Sequence, residues 1–534
     1  MSTSPPPTTA TTVRDVEMKL HLDPRDLGRV LGLDALRERA EGEPVTRHLR
    51  TVYFDTPDLR LFAAGVALRV RQDGERFIQT LKTVNAATSG DSAAVAVRKT
   101  WEWTIATATP DLAPLEAEGI AALVPEEARA ALAPLFTTDF RRTVLLVRPD
   151  ALTAIEVAVD EGEIAAGTAC ARISEVELEL KSGRVGRLFD LALALHRNLP
   201  ARIDTESKAE LGYRLVTGRL PAPVQPEPLG LSPVTTVAEA YRHIVRHGLR
   251  LLLSNEACAL ADGDVEGLHQ MRVALRRLRT AIRLFRPVIG KPDLCDAGDG
   301  IRWLIGQLGP ARESDVLLSG VIEPLAASAK APAGLPELAA AVREARRAPA
   351  RMAMEAIRSP RCTGLLLALG AWVEEGRWHT GAEPALRAQL DRPVADLAGG
   401  WLATQHAKAV KAGKAVDGAD AKTLDRLRRR LRKLRYAAEF FRGLYAPEAT
   451  HPFIDRLEAV LAELDADHDA AVARTLLRAL PDADTDTIDA TLKWLNKRAD
   501  KRRKAIPDLW KAFRETPVFW ETRPLTRPRR EGEG

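Results

Sequence analysis

The residues best suited to chemistry fall into two patterns, and the first is a ladder of arginines. Arg272, Arg276, Arg279, Arg283 and Arg286 recur at steps of three and four, the spacing of one helical face. Leu268, Met271, Leu275, Leu278, Ile282 and Phe285 recur at the same steps, displaced by one residue. One helix would therefore carry an apolar seam for docking and a row of guanidinium forks whose geometry suits phosphate oxygens. A single ladder is ordinarily a solvated face. This one occurs twice: residues 268–286 overlay residues 424–442 without a gap, with Arg428, Arg432 and Arg435 falling on Arg272, Arg276 and Arg279. The alignment continues, placing Ile305, Leu308, Glu313 and Val316 on Leu461, Leu464, Asp469 and Val472. A repeat of this length implies two similar helical halves, whose ladders can face one cleft and grip a linear polyanion.

The second pattern is charge alternating with apolar residues at period two. Asp15, Glu17 and Lys19 alternate with Val16, Met18 and Leu20; Arg69 and Arg71 with Leu68 and Val70; Arg98 and Glu102 with Trp101 and Trp103; and Glu175, Glu177, Glu179 and Lys181 with Val176, Leu178 and Leu180. Gln72-Asp73-Gly74 offers a hairpin turn into Phe77–Lys82. An ordinary sheet would turn such faces to water. Several of them in one domain suggest a closed barrel with a polar lumen.

The elements that must hold these groups divide the chain. With 534 residues, it is long enough for two to four domains. The net charge of +5 conceals a split: residues 1–222 carry 28 Lys+Arg against 32 Asp+Glu, and the rest carry 50 against 41. The surplus of cations lies in the C-terminal part, which points to an anionic partner there. Residues 1–12 read as a disordered tail, 13–216 as strands with helices at Pro24–Leu36, Pro125–Ala133 and Arg184–Arg197, and 217–234, with five prolines, as a semi-rigid linker. From 235 to 521 the pattern is helical, with helices at Ile301–Leu308, Leu335–Ile357, Cys362–Glu375, Arg392–Lys411, Phe453–Leu464, Ala470–Leu480 and Ile488–Lys504 besides the ladders; 522–534 form a tail. Cys170, Cys258, Cys295 and Cys362 stand far apart, without metal-ligand spacing or disulfide density. No signal-like run and no stretch of membrane-spanning length occur, so a cytoplasmic protein is expected.

Asp15-Val16-Glu17-Met18-Lys19 resembles the Glu-x-Glu-x-Lys signature of CYTH domains, the triphosphate tunnel metalloenzymes. The likeness continues through Tyr53-Phe54-Asp55-Thr56-Pro57, Ala67–Arg71, Thr80-Leu81-Lys82, Val159–Ile164, Glu175–Lys181 and Ser207-Lys208. It implies an eight-stranded antiparallel barrel forming a tunnel, in an α+β chain of two domains, and members that hydrolyse inorganic or thiamine triphosphate or cyclise ATP. A triphosphate needs several cations, which Lys19, Arg69, Arg71, Lys82, Arg98 and Lys208 can supply. By resemblance, Asp15, Glu17, Glu175, Glu177 and Glu179 would hold Mg²⁺ or Mn²⁺, hard ions that prefer oxygen. Which glutamate of the ladder takes which metal stays open. Glu17, Lys19 and Glu177 are the candidate catalytic residues, with water attacking directly, since no serine, cysteine or histidine nucleophile is evident. Asp15 is one methylene shorter than the usual glutamate, which motivates an alternative: a non-catalytic adaptor that targets polyphosphate granules.

His269-Gln270-Met271-Arg272 with its ladder, Leu308–Val316 and Leu431–Tyr436 resemble the CHAD domain, an all-helical domain that binds inorganic polyphosphate. The likeness makes His269, Arg272, Arg276, Arg279, Arg283, Arg428, Arg432 and Arg435 the expected polyphosphate contacts, His269 serving equally well as a helix-orienting hydrogen bonder. Two departures stand in the second copy, Asp425 where histidine is usual and Asp465-Ala466-Asp467-His468 in place of a turn, and both put acidic groups near the second ladder, where they are expected to weaken anion binding. Inorganic triphosphate and polyphosphate are the partners this reading implies, and a membrane is not. Nucleic acid ranks lower, because aromatics for base stacking are scarce along the ladders.

Overall fold

The structure, a computed structural model, describes residues 13–83, 96–261, 265–290, 294–481 and 483–525, without the side chains of 13–15, 96–99 and 294–296. It separates into two compact units. One comprises residues through Ala222 together with Pro360–Glu375; the other comprises Pro223–Ser359 and Gly376 onward.

In the first unit the alternating segments become strands β1 (Val13–Leu22), β2 (Ala40–Asp55), β3 (Val66–Asp73), β4 (Arg76–Thr83), β5 (Ala96–Ile105), β6 (Ala133–Asp150), β7 (Thr153–Ala166), β8 (Ala169–Ser182) and β9 (Ala201–Asp204). Their order is β5-β4-β3-β2-β6-β7-β8-β1-β9, and β5 also pairs with β1, so eight strands close into a ring. β1 makes this possible by dividing one edge: Val13–Glu17 pairs with β5, while Lys19–Leu22 pairs with the short β9. The eight-stranded expectation describes the ring, and β9 is an addition to it. Leu68, Val70, Leu81 and Trp103 are buried on the outer face, together with Leu115, Val124 and Ala128 from the short helices after β5. Because that apolar face is covered, the charged face must line the lumen. The helix expected at Pro24–Leu36 is broken into short turns, and that at Pro125–Ala133 shrinks to Glu126–Arg129 because β6 begins at Ala133.

The helix Val185–Asn198 packs on Pro360–Glu375, a helix the sequence reading grouped with the C-terminal domain. Contact is intimate: a Cβ on Gly370 would lie 2.1 Å from the Phe189 ring, so only glycine permits the approach. His196 Nδ1 accepts from the Ala201 amide at 3.2 Å, which leaves Nε2–H to donate to the Pro360 carbonyl at 2.8 Å. Arg184 pairs with Glu375 at 3.2 Å.

The second unit is helical. The first arginine helix, Val265–Ile289, buries Leu268, Met271, Leu275, Leu278, Ile282 and Phe285, and the second, Ala421–Phe441, buries Leu424, Leu427, Leu431, Leu434 and Phe441. The rings of Phe285 and Phe441, equivalent in the repeat, lie 6.2 Å apart. The two expected helices at Phe453–Leu464 and Ala470–Leu480 are one, Pro447–Arg478. No glycine or proline interrupts it there, and its mid-helix acids are held by cations: Asp465 by Arg432 at 2.6 Å and Asp467 by Arg503 at 2.7 Å. Among the described residues, no helix is long and apolar enough to cross a membrane.

Candidate functional site

Strand register decides which charges meet in the barrel. Glu17, Lys19 and His21 of β1 lie opposite Glu179, Glu177 and Glu175 of β8, and on the other side of β8 Glu179 faces Glu156 and Glu175 faces Asp160 of β7. Asp160 in turn faces Arg142 of β6. Across the lumen, β3 carries Arg69 and Arg71, with Tyr53 opposite Arg69 and Lys82 opposite Ala67. Lys208 enters from the first turn of the helix Lys208–Thr217. A capping box fixes that turn: Ser207 Oγ accepts from the Glu210 amide, and Glu210 accepts from the Ser207 amide at 2.7 Å. These groups enclose a cavity of about 420 Å³, lined by Glu17, Lys19, Arg69, Arg71, Lys82 and Glu102, and also by Arg142, Glu156, Glu177, Glu179, Lys181 and Lys208.

At one side of the cavity lies a balanced network. Lys208 Nζ donates to Asp160 at 2.7 Å and to Glu177 at 2.9 Å, and also to Glu175. Lys19 pairs with Glu177 at 3.1 Å, and Arg142 holds Asp160 at 2.6 Å and also Glu177. Three cations thus face three carboxylates, and Asp160, Glu175 and Glu177 each offer an oxygen within 4.8 Å of the others. Burial opposes the charge on Lys19, yet Glu177 and Glu175 raise it above the ordinary lysine value. Burial likewise opposes charge on Lys208, which Asp160, Glu175 and Glu177 overcome. Burial also opposes charge on Glu177, but Arg142, Lys208 and Lys19 hold it well below the usual carboxylate range, whereas for Glu175 burial prevails and raises it.

Opposite, the cations are less satisfied. Arg69 Nη1 donates to the Tyr53 hydroxyl at 3.2 Å, but Nε of Arg69 and of Arg71 are buried without a partner. Burial and the neighbouring Arg69 and Arg142 lower Arg71 to about 10. Buried donors of this kind demand an acceptor, and here they border a cavity sized for a small ligand.

Most residues expected at this site line the cavity or border it. Glu175 lies deeper, on Lys208, and the side chains of Asp15 and Arg98 fall outside the described residues, although their backbones pair with each other. Arg142, Asp160, Tyr53, Glu102 and Glu156 were missed. Adjacent Arg141 and Arg142 look equivalent in sequence; only the face shared with Phe140, whose ring lies 5.6 Å from the Arg142 guanidinium and 5.0 Å from Lys208 Nζ, separates them. Asp55, within one of the family-like fragments, is structural: it accepts from the Leu61 and Phe62 amides at 2.9 and 3.0 Å and from the Tyr213 hydroxyl at 3.0 Å.

In the helical unit the two arginine helices do oppose one another. Burial lowers Arg276, and so do Arg432 and Arg428 of the other helix; Arg272 falls to about 10 through burial and then Arg276. Arg272 is only 7% exposed, and its Nη1 has no partner. His269 is lowered to about 4 by burial, then by Arg312, and so is neutral near pH 7. Arg312 is therefore a member of the cluster that the ladder spacing did not reveal. Arg279 and Arg283 form a further group with Lys433, which burial and then Arg283 lower to about 8. Arg428 and Arg432, by contrast, are engaged by Asp425 and Asp465. Arg435 is turned into a network with Glu458 at 3.2 Å and Glu439 at 3.4 Å, so it does not present a free fork.

Comparison with known proteins agrees with this division. The CYTH domain model matches residues 14–213 and the CHAD domain model matches residues 243–478. An inorganic triphosphatase of Haemophilus influenzae is 34% identical over 211 residues, 38% of this chain and 55% of that protein, so the chain spans little more than half of its relative's length. The crystal structure of the CHAD domain from the plant Ricinus communis is 31% identical, covering 57% of this chain and 99% of that one, with a TM-score of 0.50.

Proposed function

This chain belongs to the CHAD family and carries a CYTH domain ahead of its CHAD domain; from that premise we propose that the barrel hydrolyses inorganic triphosphate with a divalent cation and that the helical unit binds inorganic polyphosphate. The observation that carries the first half is the pair of buried, unpartnered guanidinium nitrogens on Arg69 and Arg71, which border a cavity whose other wall mixes carboxylates with Lys19, Arg142 and Lys208. A phosphate chain between these walls would give the Nε groups of Arg69 and Arg71 the acceptors they lack. The inorganic triphosphatase relative supports the same substrate.

The carboxylates fit a hard divalent cation such as Mg²⁺ or Mn²⁺. Glu17, Glu179 and Glu177 would hold it, since they lie side by side in register and line the cavity. Bound there, such an ion supplies neutralisation of phosphate charge and acidification of the attacking water. Asp160 and Glu175 serve instead to fix Lys208. Lys19, Lys208 and Arg142 keep their protons at neutral pH and stabilise charge on the phosphoryl oxygens. Replacing Arg71 with Gln tests the substrate assignment: KM for tripolyphosphate should rise by about tenfold or more, the loss of one charged hydrogen bond. An unchanged KM would remove Arg71, and with it the observation on which the reading stands.

For the helical unit, the convergence of buried Arg272 with half-buried Arg276 and Arg312 supports polyphosphate binding. Like charges crowded in a buried place repel unless an anion joins them.

A further inference from the structure

The two arginine helices are sequence repeats but not chemical equivalents. Register of the repeat sets Arg272 against Arg428, Arg276 against Arg432, His269 against Asp425 and Gly309 against Asp465. In the second repeat both carboxylates are used. Asp465 Oδ1 accepts from Arg432 at 2.6 Å and from Arg428 at 3.4 Å, and Asp425 Oδ1 accepts from Arg428 at 2.7 and 3.1 Å. In the first repeat no carboxylate stands at either position. Arg272, Arg276 and Arg312 make no ion pair among the described residues, and Arg272 is more than nine-tenths buried with Nη1 unpartnered. The equivalence is spatial as well as sequential: a Cβ added to Gly309 would meet only the Arg272 Nη1 atom, at 3.0 Å. Glycine there leaves vacant the place from which Asp465 reaches its own arginines. The next acidic position is common to both copies, as Glu313 and Asp469, so it does not account for the difference.

Resting on the polyphosphate-binding reading above, we infer that Asp465, assisted by Asp425, is a built-in counter-ion that occupies the phosphate-binding guanidinium groups of the second repeat. A polyphosphate chain then engages Arg272, Arg276 and Arg312 directly and gains Arg428 and Arg432 only by displacing a carboxylate. Asp465 is a determinant of affinity rather than a contact. It exchanges one anion for another at the same forks, so bound phosphate has to compete with it.

The test uses the full chain and inorganic polyphosphate, with binding measured at several salt concentrations. Asp465→Asn keeps the shape but removes the charge. It should tighten binding by about five- to tenfold and steepen the fall of log K with log salt by about one, as more phosphates are neutralised. The mirror variant, Gly309→Asp, should install the missing counter-ion on Arg272 and weaken binding by about tenfold, whereas Gly309→Ala, which adds bulk without charge, should change it much less. Wild-type binding that Asp465→Asn leaves unchanged or weakens would overturn the inference while leaving the polyphosphate reading intact. Absence of binding in both wild type and Asp465→Asn would overturn that reading, and the inference with it.

Discussion

The barrel and the arginine cluster both gather buried cations, but they satisfy them in opposite ways. In the barrel Lys19, Lys208 and Arg142 share a network with three carboxylates, Asp160, Glu175 and Glu177, whereas on the facing wall Nε of Arg69 and of Arg71 lacks an acceptor. Among the described residues, Arg272 and Arg276 of the first arginine helix make no ion pair, and Glu313 and Asp465 act on them only from beyond ion-pair distance. The contrast matches what the two proposed roles require. Orienting a small phosphate for attack requires charges fixed in place, and carboxylates among the lysines both hold them still and supply ligands for a cation. Holding a long polyanion requires only accumulated positive potential. One site is built for geometry, the other for charge.

Breaking each site separately is the sharpest use of that contrast. Glu177→Gln removes a partner shared by Lys19, Lys208 and Arg142 and is expected to lower tripolyphosphate turnover by about 10²–10³ or more, with polyphosphate binding by the full chain unaltered. Full turnover in this variant would remove Glu177 from the site. Arg272→Glu combined with Arg276→Glu should do the reverse, weakening polyphosphate binding by about 10–100-fold and sparing triphosphate hydrolysis; equal loss of both activities would show that the two sites are not independent.

A stability measurement separates sequence location from folding unit. Gly370→Leu lies within the helical stretch of the sequence but forces side-chain atoms into Phe189 of the barrel unit. Overpacking of this kind typically costs about 1–3 kcal/mol. The loss should appear in the unfolding of the barrel unit, followed by triphosphatase inactivation, and a loss confined to polyphosphate binding would contradict the assignment of Pro360–Glu375 to that unit. The smallest effect concerns acid. Glu177 is held below its unfolded value, so its contribution is complete above about pH 4.3 and is lost as pH falls toward the folded value. Thermal denaturation from pH 6 to 3 should therefore show a shallower acid decline in Glu177→Gln than in wild type; identical slopes would mean that Glu177 is not the anchored carboxylate.

Much of this was legible in the chain because periodicity reports faces. Alternation at Glu17/Lys19, Arg69/Arg71 and Glu177/Glu179 placed those groups in one lumen, and the three-four spacing of Leu275, Leu278 and Phe285 identified the buried seam of the first ladder. What periodicity does not report is long-range partnership. Arg142 and Asp160 join the cavity through pairing of β6, β7 and β8, and nothing local distinguishes Arg142 from Arg141. The sequence marked Asp425 and Asp465 as acids near the second ladder that would weaken anion binding there, but not that Asp465, more than thirty residues away, occupies both Arg428 and Arg432. The helix Cys362–Glu375 was legible as a helix, but its place against Val185–Asn198 depends on Gly370 meeting Phe189, a fit invisible to composition. For the same reason residues 1–222 alone would leave that helix face uncovered, and activity is best measured on the whole chain.

The central claim is most directly tested by phosphate release from tripolyphosphate, using the full chain with Mg²⁺, with Mn²⁺ and with a chelator, beside Glu177→Gln. Release that needs a divalent cation and disappears in the variant is the predicted result. No release with either metal from a folded chain, or release that survives in Glu177→Gln, would contradict the account.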